Sequence, residues 1–185
     1  MRYADERKMD ISNGEGIGIS LFVQGCHFHC KNCFNSNTWD FSGGKEWTKQ
    51  KEYEFLKLAD NPYIKRISIL GGEPLADENL SGILPLVNKI RYLYGDTKTI
   101  WLYSGFYWEE IFEPSFTEQT EDWIRNYLQM CEIRKQIIAQ CNVMIDGRFV
   151  EELKNLSLMW RGSSNQSVIN VRESLAQNKI VLYCE

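Results

Sequence analysis

Residues 15–33 read EGIGISLFVQGCHFHCKNC. The first half places Ile17, Ile19, Leu21 and Val23 at every second position, the period of a strand with one buried face. The second half packs Cys26, Cys30 and Cys33 into eight positions, together with His27 and His29, the chain's only histidines. An apolar strand therefore runs straight into a stretch dense in metal-ligating and nucleophilic side chains.

Outward from there, NSNTWDFSGG at 35–44 continues as loop. The pattern WTKQKEYEFLKLAD fits a helix from Glu46 to Asp60, ended before Pro62. IKRISIL at 64–70 reads as a strand, stopped by GGEP at 71–74. Residues 79–94 carry Leu80, Ile83, Leu84, Val87, Ile90 and Leu93 at helical spacing, with Pro85 predicting a kink or a late start. Thr99–Tyr103 is a further strand. Glu118–Met130 is a helix with Trp123, Ile124, Tyr127 and Leu128 facing inward, and Asn142–Ile145 and Ile180–Tyr183 are short strands. Strands alternating with helices predict an α/β fold with a mainly parallel sheet. There is no internal repeat, low-complexity run or linker, which predicts one domain over 1–185 with an N-terminal arm of about residues 1–14.

A chain of 185 residues buries roughly two thirds of its unfolded surface, so it needs no metal or disulfide merely to make a core. With 25 acidic against 21 basic residues and a net charge of -4, nothing in the overall charge points to a nucleic-acid partner. No run approaches the roughly 18 apolar residues of a membrane span. The opening MRYADERKMD is too charged for the apolar core of a signal peptide. The expectation is a cytoplasmic, reducing compartment. Six cysteines are an even number, but Cys131, Cys141 and Cys184 are scattered while the other three crowd together, unlike an evenly stapled disulfide scaffold.

The spacing Cys26-x3-Cys30-x2-Cys33 admits several chemistries. Cys30 and Cys33 form the C-x-x-C pair of a disulfide oxidoreductase, which needs a helix N-terminus and leaves Cys26 unexplained. Structural zinc wants four ligands, so a histidine or a distant cysteine would have to complete the set. An iron–sulfur cube accepts one thiolate per iron, and three thiolates leave its fourth iron open to a small molecule. In that case the histidines are loop residues flanking the cluster.

The chain resembles the radical S-adenosylmethionine (SAM) superfamily, whose signature is C-x3-C-x2-C after a first strand. More narrowly, it resembles the activating proteins of anaerobic (class III) ribonucleotide reductase. NGEGI at 13–17, LFVQGC at 21–26 running on through the cysteines to NTWDF at 37–41, GGEPL at 71–75, YSGF at 103–106, MIDGRF at 144–149 and RGSSNQ at 161–166 carry the match. The resemblance spans nearly the whole chain.

It implies a compact version of a partial (β/α)6 barrel. Cys26, Cys30 and Cys33 would ligate a 4Fe-4S cluster, and the amino and carboxylate groups of SAM would chelate the open iron. A flavodoxin-like or other one-electron reductant would reduce the cluster. Homolysis of SAM would give methionine and a 5'-deoxyadenosyl radical, which takes a hydrogen from a glycine of the reductase large subunit. A homodimer is one assembly open to such a protein. The near alternative is an activase of another glycyl-radical enzyme of the formate-lyase type, but the chain carries no added ferredoxin-like cysteine domain. The alternative from another class is an electron-transfer or zinc-binding protein that never cleaves SAM.

The residues make sense in these roles. Gly71, Gly72, Glu73 and Pro74 end a strand, where open α/β sheets bind ligands, and the resemblance makes them the segment holding the SAM amino group. Tyr103, Ser104 and Gly105 end another strand and should share that rim. Asp146 and Gly147 read as a turn at its edge. Arg161 is the one strong donor of RGSSNQ and a candidate for SAM or partner contacts. Glu15 stands where proline is common in the family, Gly18 where arginine is common, and Phe34 where histidine is frequent. Trp39 and Phe41 pack beneath the cysteine loop or face the partner. The aromatic, partly acidic segment 101–116 is either docking surface or a solvated helix with an apolar face.

Overall fold

The computed structural model describes residues 1–184; Glu185, the last residue of the expected domain, lies outside the described residues. In chain order the elements begin with β1 (Arg2–Asp10), β2 (Gly18–Val23), β3 (Lys45–Glu46), α1 (Lys49–Ala59), β4 (Arg66–Gly71), α2 (Asp77–Tyr94) and β5 (Thr99–Tyr103). They continue with α3 (Trp108–Phe112), α4 (Glu121–Ala139), β6 (Val143–Asp146), β7 (Ser167–Asn170), α5 (Val171–Gln177) and β8 (Leu182–Cys184).

All eight strands join one sheet in the order β3-β1-β2-β4-β5-β6-β7-β8. The expected parallel pairing holds for the centre, β2-β4-β5-β6, where helices form the crossovers. Both flanks are antiparallel: β1 with β2 and β3, and β7 with β6 and β8. The link from β6 to β7 has no α-helix, so the chain returns antiparallel. The fold is thus a mixed sheet flanked by helices, of radical-SAM-like α/β type.

Side-chain alternation gives the central strands two different tasks. Ile19, Leu21, Val23, Ile67, Ile69, Ile100, Leu102 and Met144 pack with Leu80, Ile83, Leu86, Val87 and Ile90 of α2 and Ile137 and Ile138 of α4. Each such side chain contributes roughly 1.5–3 kcal/mol relative to exposure. On the opposite face Trp101, Val143, Ile145 and Val168 form a smaller cluster with Tyr103 and Trp160. That second face builds the site.

Several elements depart from the sequence expectation. Residues 2–10, read as part of an arm, form β1, which is held by pairing rather than by an apolar face, since only Tyr3 and Asp10 in it are buried. α2 starts early, at Asp77, and runs through Pro85. That proline and Ser81, whose carbonyl it leaves without an amide donor, are both exposed residues on the outer side of the helix. In α4 the expected inward residues Trp123 and Leu128 are exposed, and the buried set is Cys131, Arg134, Ile137 and Ile138. Trp123 stacks on Tyr127, with Phe116 edge-on, so these aromatics cover one another rather than the sheet. No described helix is long and apolar enough to cross a membrane.

Candidate functional site

The C-terminal ends of the parallel strands open onto a cavity of about 620 Å³, a size suited to a small-molecule ligand. Phe22, Leu70, Tyr103 and Ile145, one from each central strand, line it, because each lies on the face opposite the helices.

Cys26, Cys30 and Cys33 line the same cavity as free, half-buried thiols. Their loop is clamped at its base, where Gly25 N donates to Thr38 O (2.7 Å) and Cys26 N to Trp39 O (3.0 Å). Left-handed His29 (φ 48°) and Asn32 (φ 56°) turn the chain between the cysteines. Cys33 N donates to Cys30 O at 3.1 Å, and Asn35 N donates to the Cys33 sulfur at 3.4 Å. The histidines are occupied elsewhere: His27 Nε2 meets Glu78 Oε1 at 2.8 Å with its ring against Phe41, and His29 stacks on Trp39.

Burial pushes the Cys26 thiol up to about 11, with the Glu73 carboxylate adding to the effect, and burial likewise raises Cys30. No α-helix starts after Cys33, only a turn at Ser36–Thr38, so the activated-thiol reading lacks its electrostatic support. Among the described residues no three His, Cys, Asp or Glu side chains converge on one ion-binding point. A polynuclear cluster instead presents separate corners, one to each thiolate, and its irons draw off the thiol protons. The donor set present fits such a group.

Beside this loop, the GGEP turn is held against it. Glu73 N donates to Gly25 O at 2.7 Å, and a Cβ on Gly72 would collide with that same carbonyl. Gly71, at φ 108°, occupies a conformation that disfavours any other residue. Glu73 is buried, and its Oε1 accepts from Leu75 N (2.8 Å) and Ser104 Oγ (2.8 Å), its Oε2 from Gly105 N (2.7 Å). Burial pushes its carboxyl up to about 7, against the lowering effect of those three donors. Glu73, Ser104 and Gly105 therefore lock two strand-end turns together. A carboxylate has about four lone-pair sites, so acceptor capacity remains on the cavity side. Pro74, the last residue of the GGEP turn, is buried and does not itself line the cavity.

The far wall comes from residues 147–166. Gln166 Oε1 accepts from the amides of Gly162 (2.9 Å) and Ser163 (3.1 Å), and its Nε2 donates to Gly147 O (2.8 Å). Asn165 Nδ2 donates to Arg148 O at 2.8 Å and Tyr107 OH at 3.0 Å. Most of RGSSNQ is therefore internal bracing. Arg161, Gly162 and Gln166 line the cavity, and Arg161 Nε and Asn165 Oδ1 are buried without a partner. The Tyr103 hydroxyl, also on the cavity, is likewise buried and unpartnered. Asp146 accepts from Trp108 N (2.9 Å) and Ser167 N (3.1 Å) and holds the strand end.

A family model described as "4Fe-4S single cluster domain" matches residues 12–169. The anaerobic ribonucleoside-triphosphate reductase-activating protein of Escherichia coli (strain K12) is 37% identical over 174 residues, covering 93% of this chain and 100% of that protein. The protein of the same name from Pasteurella multocida (strain Pm70) is 32% identical over 91% of this chain and 96% of its own. That of Enterobacteria phage T4 is 30% identical over 90% and 92%. The chain belongs to this family.

The family match runs from Ser12 to Ile169 and so takes in the cysteine loop, the GGEP turn and the far wall. Sequence reasoning missed Arg7, Ser12, Asn13, Phe28, Arg148 and Trp160, all on the cavity. Arg148 packs over Phe28 at 4.5 Å and pairs with Glu110 at 2.9 Å. Trp160, at φ 60°, turns its ring onto Trp101, 4.8 Å away. Asn13, Phe28 and Arg148 lie inside the NGEGI, cysteine and MIDGRF stretches, and Ser12 and Trp160 directly before NGEGI and RGSSNQ, but residue type did not mark them. Arg7 lies in no such stretch.

Proposed function

We propose that this protein is the activase of an anaerobic ribonucleoside-triphosphate reductase, a radical SAM oxidoreductase that installs a glycyl radical on its partner. One observation carries the reading: three half-buried thiols from a single loop face a cavity that also presents the GGEP turn and the unpartnered Arg161. Cys26, Cys30 and Cys33 would hold the 4Fe-4S cluster, three thiolates for four irons. When bound, the cluster supplies the electron that cleaves a C–S bond of SAM, yielding the radical that removes hydrogen from a partner glycine.

The chain's own residues position and shield that chemistry. The Glu73–Ser104–Gly105 lock fixes the GGEP turn beside Cys26, with acceptor capacity toward the SAM ammonium. Arg161 and Tyr103, on the cavity wall, flank the place for the carboxylate or sugar of the same ligand, while Phe22, Leu70 and Ile145 exclude water. Phe34, 60% exposed, and Leu156, 83% exposed, stand on the cavity lining and give a large partner an apolar edge to meet.

In this reading residues 1–185 act as one radical SAM domain, a compact partial (β/α)6 barrel whose sheet leaves a mouth for a macromolecule. Its partners are the reductase large subunit and a flavodoxin-like or other one-electron reductant, with no nucleic acid or membrane, in the cytoplasm, as a monomer or a homodimer.

The test is anaerobic reconstitution with iron and sulfide, reduction, addition of SAM and chromatographic measurement of 5'-deoxyadenosine. Product that disappears in Cys30→Ala supports the assignment. A fully loaded cluster that yields no product, with or without the reductase, overturns it.

A further inference from the structure

Arg66, at the start of β4, has no solvent exposure and lies on the strand face of Ser68 and Leu70, below the cavity. Both of its terminal nitrogens are spent on one short turn. Nη1 donates to Asn13 O and to Ser68 Oγ, and Nη2 donates to Asp10 O at 2.7 Å and reaches Asp10 Oδ1 at 3.4 Å. Asp10 in turn accepts from Ser12 N (2.7 Å), Asn13 N (2.9 Å), Asn13 Nδ2 (2.6 Å) and Ser20 Oγ (2.8 Å). Ser12 and Asn13, so held, form part of the cavity wall.

Room for the guanidinium comes from two glycines. Gly18 is the register partner of Arg66 on β2, and a Cβ there would lie 2.9 Å from the guanidinium carbon and 2.7 Å from the Arg66 carbonyl oxygen. A Cβ on Gly14 would lie 2.6 Å from Arg66 Cδ and 2.7 Å from the Trp101 ring. Asp10 also meets Arg7 Nη1 at 3.5 Å, but the Arg7 side chain is half exposed, so Arg66 is the one fully buried cation of this layer and the Asp10 carboxylate its buried counter-charge.

We infer that Arg66 is a positioning residue of the cofactor cavity, and that Gly18 and Arg66 form one exchangeable unit: the guanidinium is required, but either strand can carry it. Arg66 touches no ligand; it acts through the 10–14 turn. As a statement about SAM binding, the inference rests on the functional reading above. If the turn holds its place only about one tenth of the time without the guanidinium, apparent affinity for a ligand resting on it falls about tenfold.

The test uses the reconstituted holoprotein with its cluster oxidised, so that SAM binds without turnover. SAM affinity by calorimetry and melting temperature without SAM are compared for wild type, Arg66→Ala, Gly18→Arg and the double variant. Both single variants should bind SAM about tenfold more weakly and melt lower, the first because the Asn13 and Asp10 carbonyls lose their buried donor and Asp10 its buried counter-charge, the second through steric conflict. The double variant should regain SAM affinity to within about threefold of wild type and melt above both single variants, since removing the Arg66 side chain clears the guanidinium site and the remaining contact, with the Arg66 carbonyl oxygen, is met by a shift of the strand pair at this edge. The inference is overturned if Arg66→Ala binds SAM as wild type does, or if the double variant is no better than Arg66→Ala. Should Arg66→Ala not fold, a folded double variant supports the inference and an unfolded one overturns it. If wild type itself binds no SAM, the functional reading fails, and the melting temperatures alone decide between exchangeable and independent residues.

Discussion

Glu73→Gln isolates a buried carboxyl that acts as a proton reservoir for folding. In the folded chain burial pushes Glu73 up to about 7, from 4.5 as the ordinary value. A raised carboxyl means the native state binds more protons than the unfolded state between those two values. Its contribution to stability is therefore largest in acid and falls as pH rises through that window. A gap of about 2.5 units at 1.36 kcal/mol each bounds the effect at roughly 3 kcal/mol, of which about 2 kcal/mol falls between pH 5 and pH 7. Glutamine keeps the shape but cannot titrate, so that component of the pH slope should vanish. One of the donors from Leu75, Ser104 and Gly105 would then face an amide NH2, costing a pH-independent ~1–3 kcal/mol. The assay is urea unfolding of both cluster-free proteins, thiols reduced, at pH 5, 6 and 7. The difference in unfolding free energy between wild type and Glu73→Gln should shrink by about 2 kcal/mol from pH 5 to pH 7. A difference that is constant over this range refutes the claim that Glu73 holds a raised carboxyl.

Asp10 runs the other way: burial pushes it up, but donors from Asn13, Ser20 and Ser12 outweigh that and hold it at about 2. Its roughly 2 kcal/mol of stability is present above about pH 4 and lost as pH falls toward 2, so Asp10→Asn should flatten that limb of an acid-denaturation curve. Gly72→Ala must displace the Gly25 carbonyl, and should cost about 1–3 kcal/mol in unfolding and weaken SAM binding in calorimetry. His27→Ala removes an exposed pair with Glu78 and a half-exposed ring contact with Phe41, so the iron content per chain should match wild type and stability should fall by only about 1 kcal/mol.

The sequence made legible what local chemistry carries. Thr99–Tyr103, an apolar run ended by Ser104-Gly105, forms a strand with those bounds, and the cysteine loop follows a strand as expected, although that strand, Gly18–Val23, is buried on both faces and leaves Ile17 outside it and exposed. Tertiary partnerships were not legible. Arg66 and Asp10 are 56 residues apart, and neither carries a pattern announcing that the two share a buried layer. Strand β1 has charged side chains at most positions and exists through its neighbours' hydrogen bonds, which no periodicity reveals. Strand β7 has only Val168 and Ile169 buried, too few for alternation to register. Within the motifs, residue type alone did not separate Arg161, which lines the cavity, from Asn165, which braces the loop, or Gln166, which does both.

The most direct test of the account is electron paramagnetic resonance on the cognate reductase. The reconstituted, reduced protein is mixed anaerobically with SAM and the reductase large subunit, and the sample is frozen. The account predicts a glycyl-radical signal on the reductase that requires SAM and is absent when Cys26, Cys30 or Cys33 is replaced by alanine. Consumption of SAM with no radical on the reductase would contradict the choice of partner, and no consumption at all would contradict the chemistry assigned to the cavity.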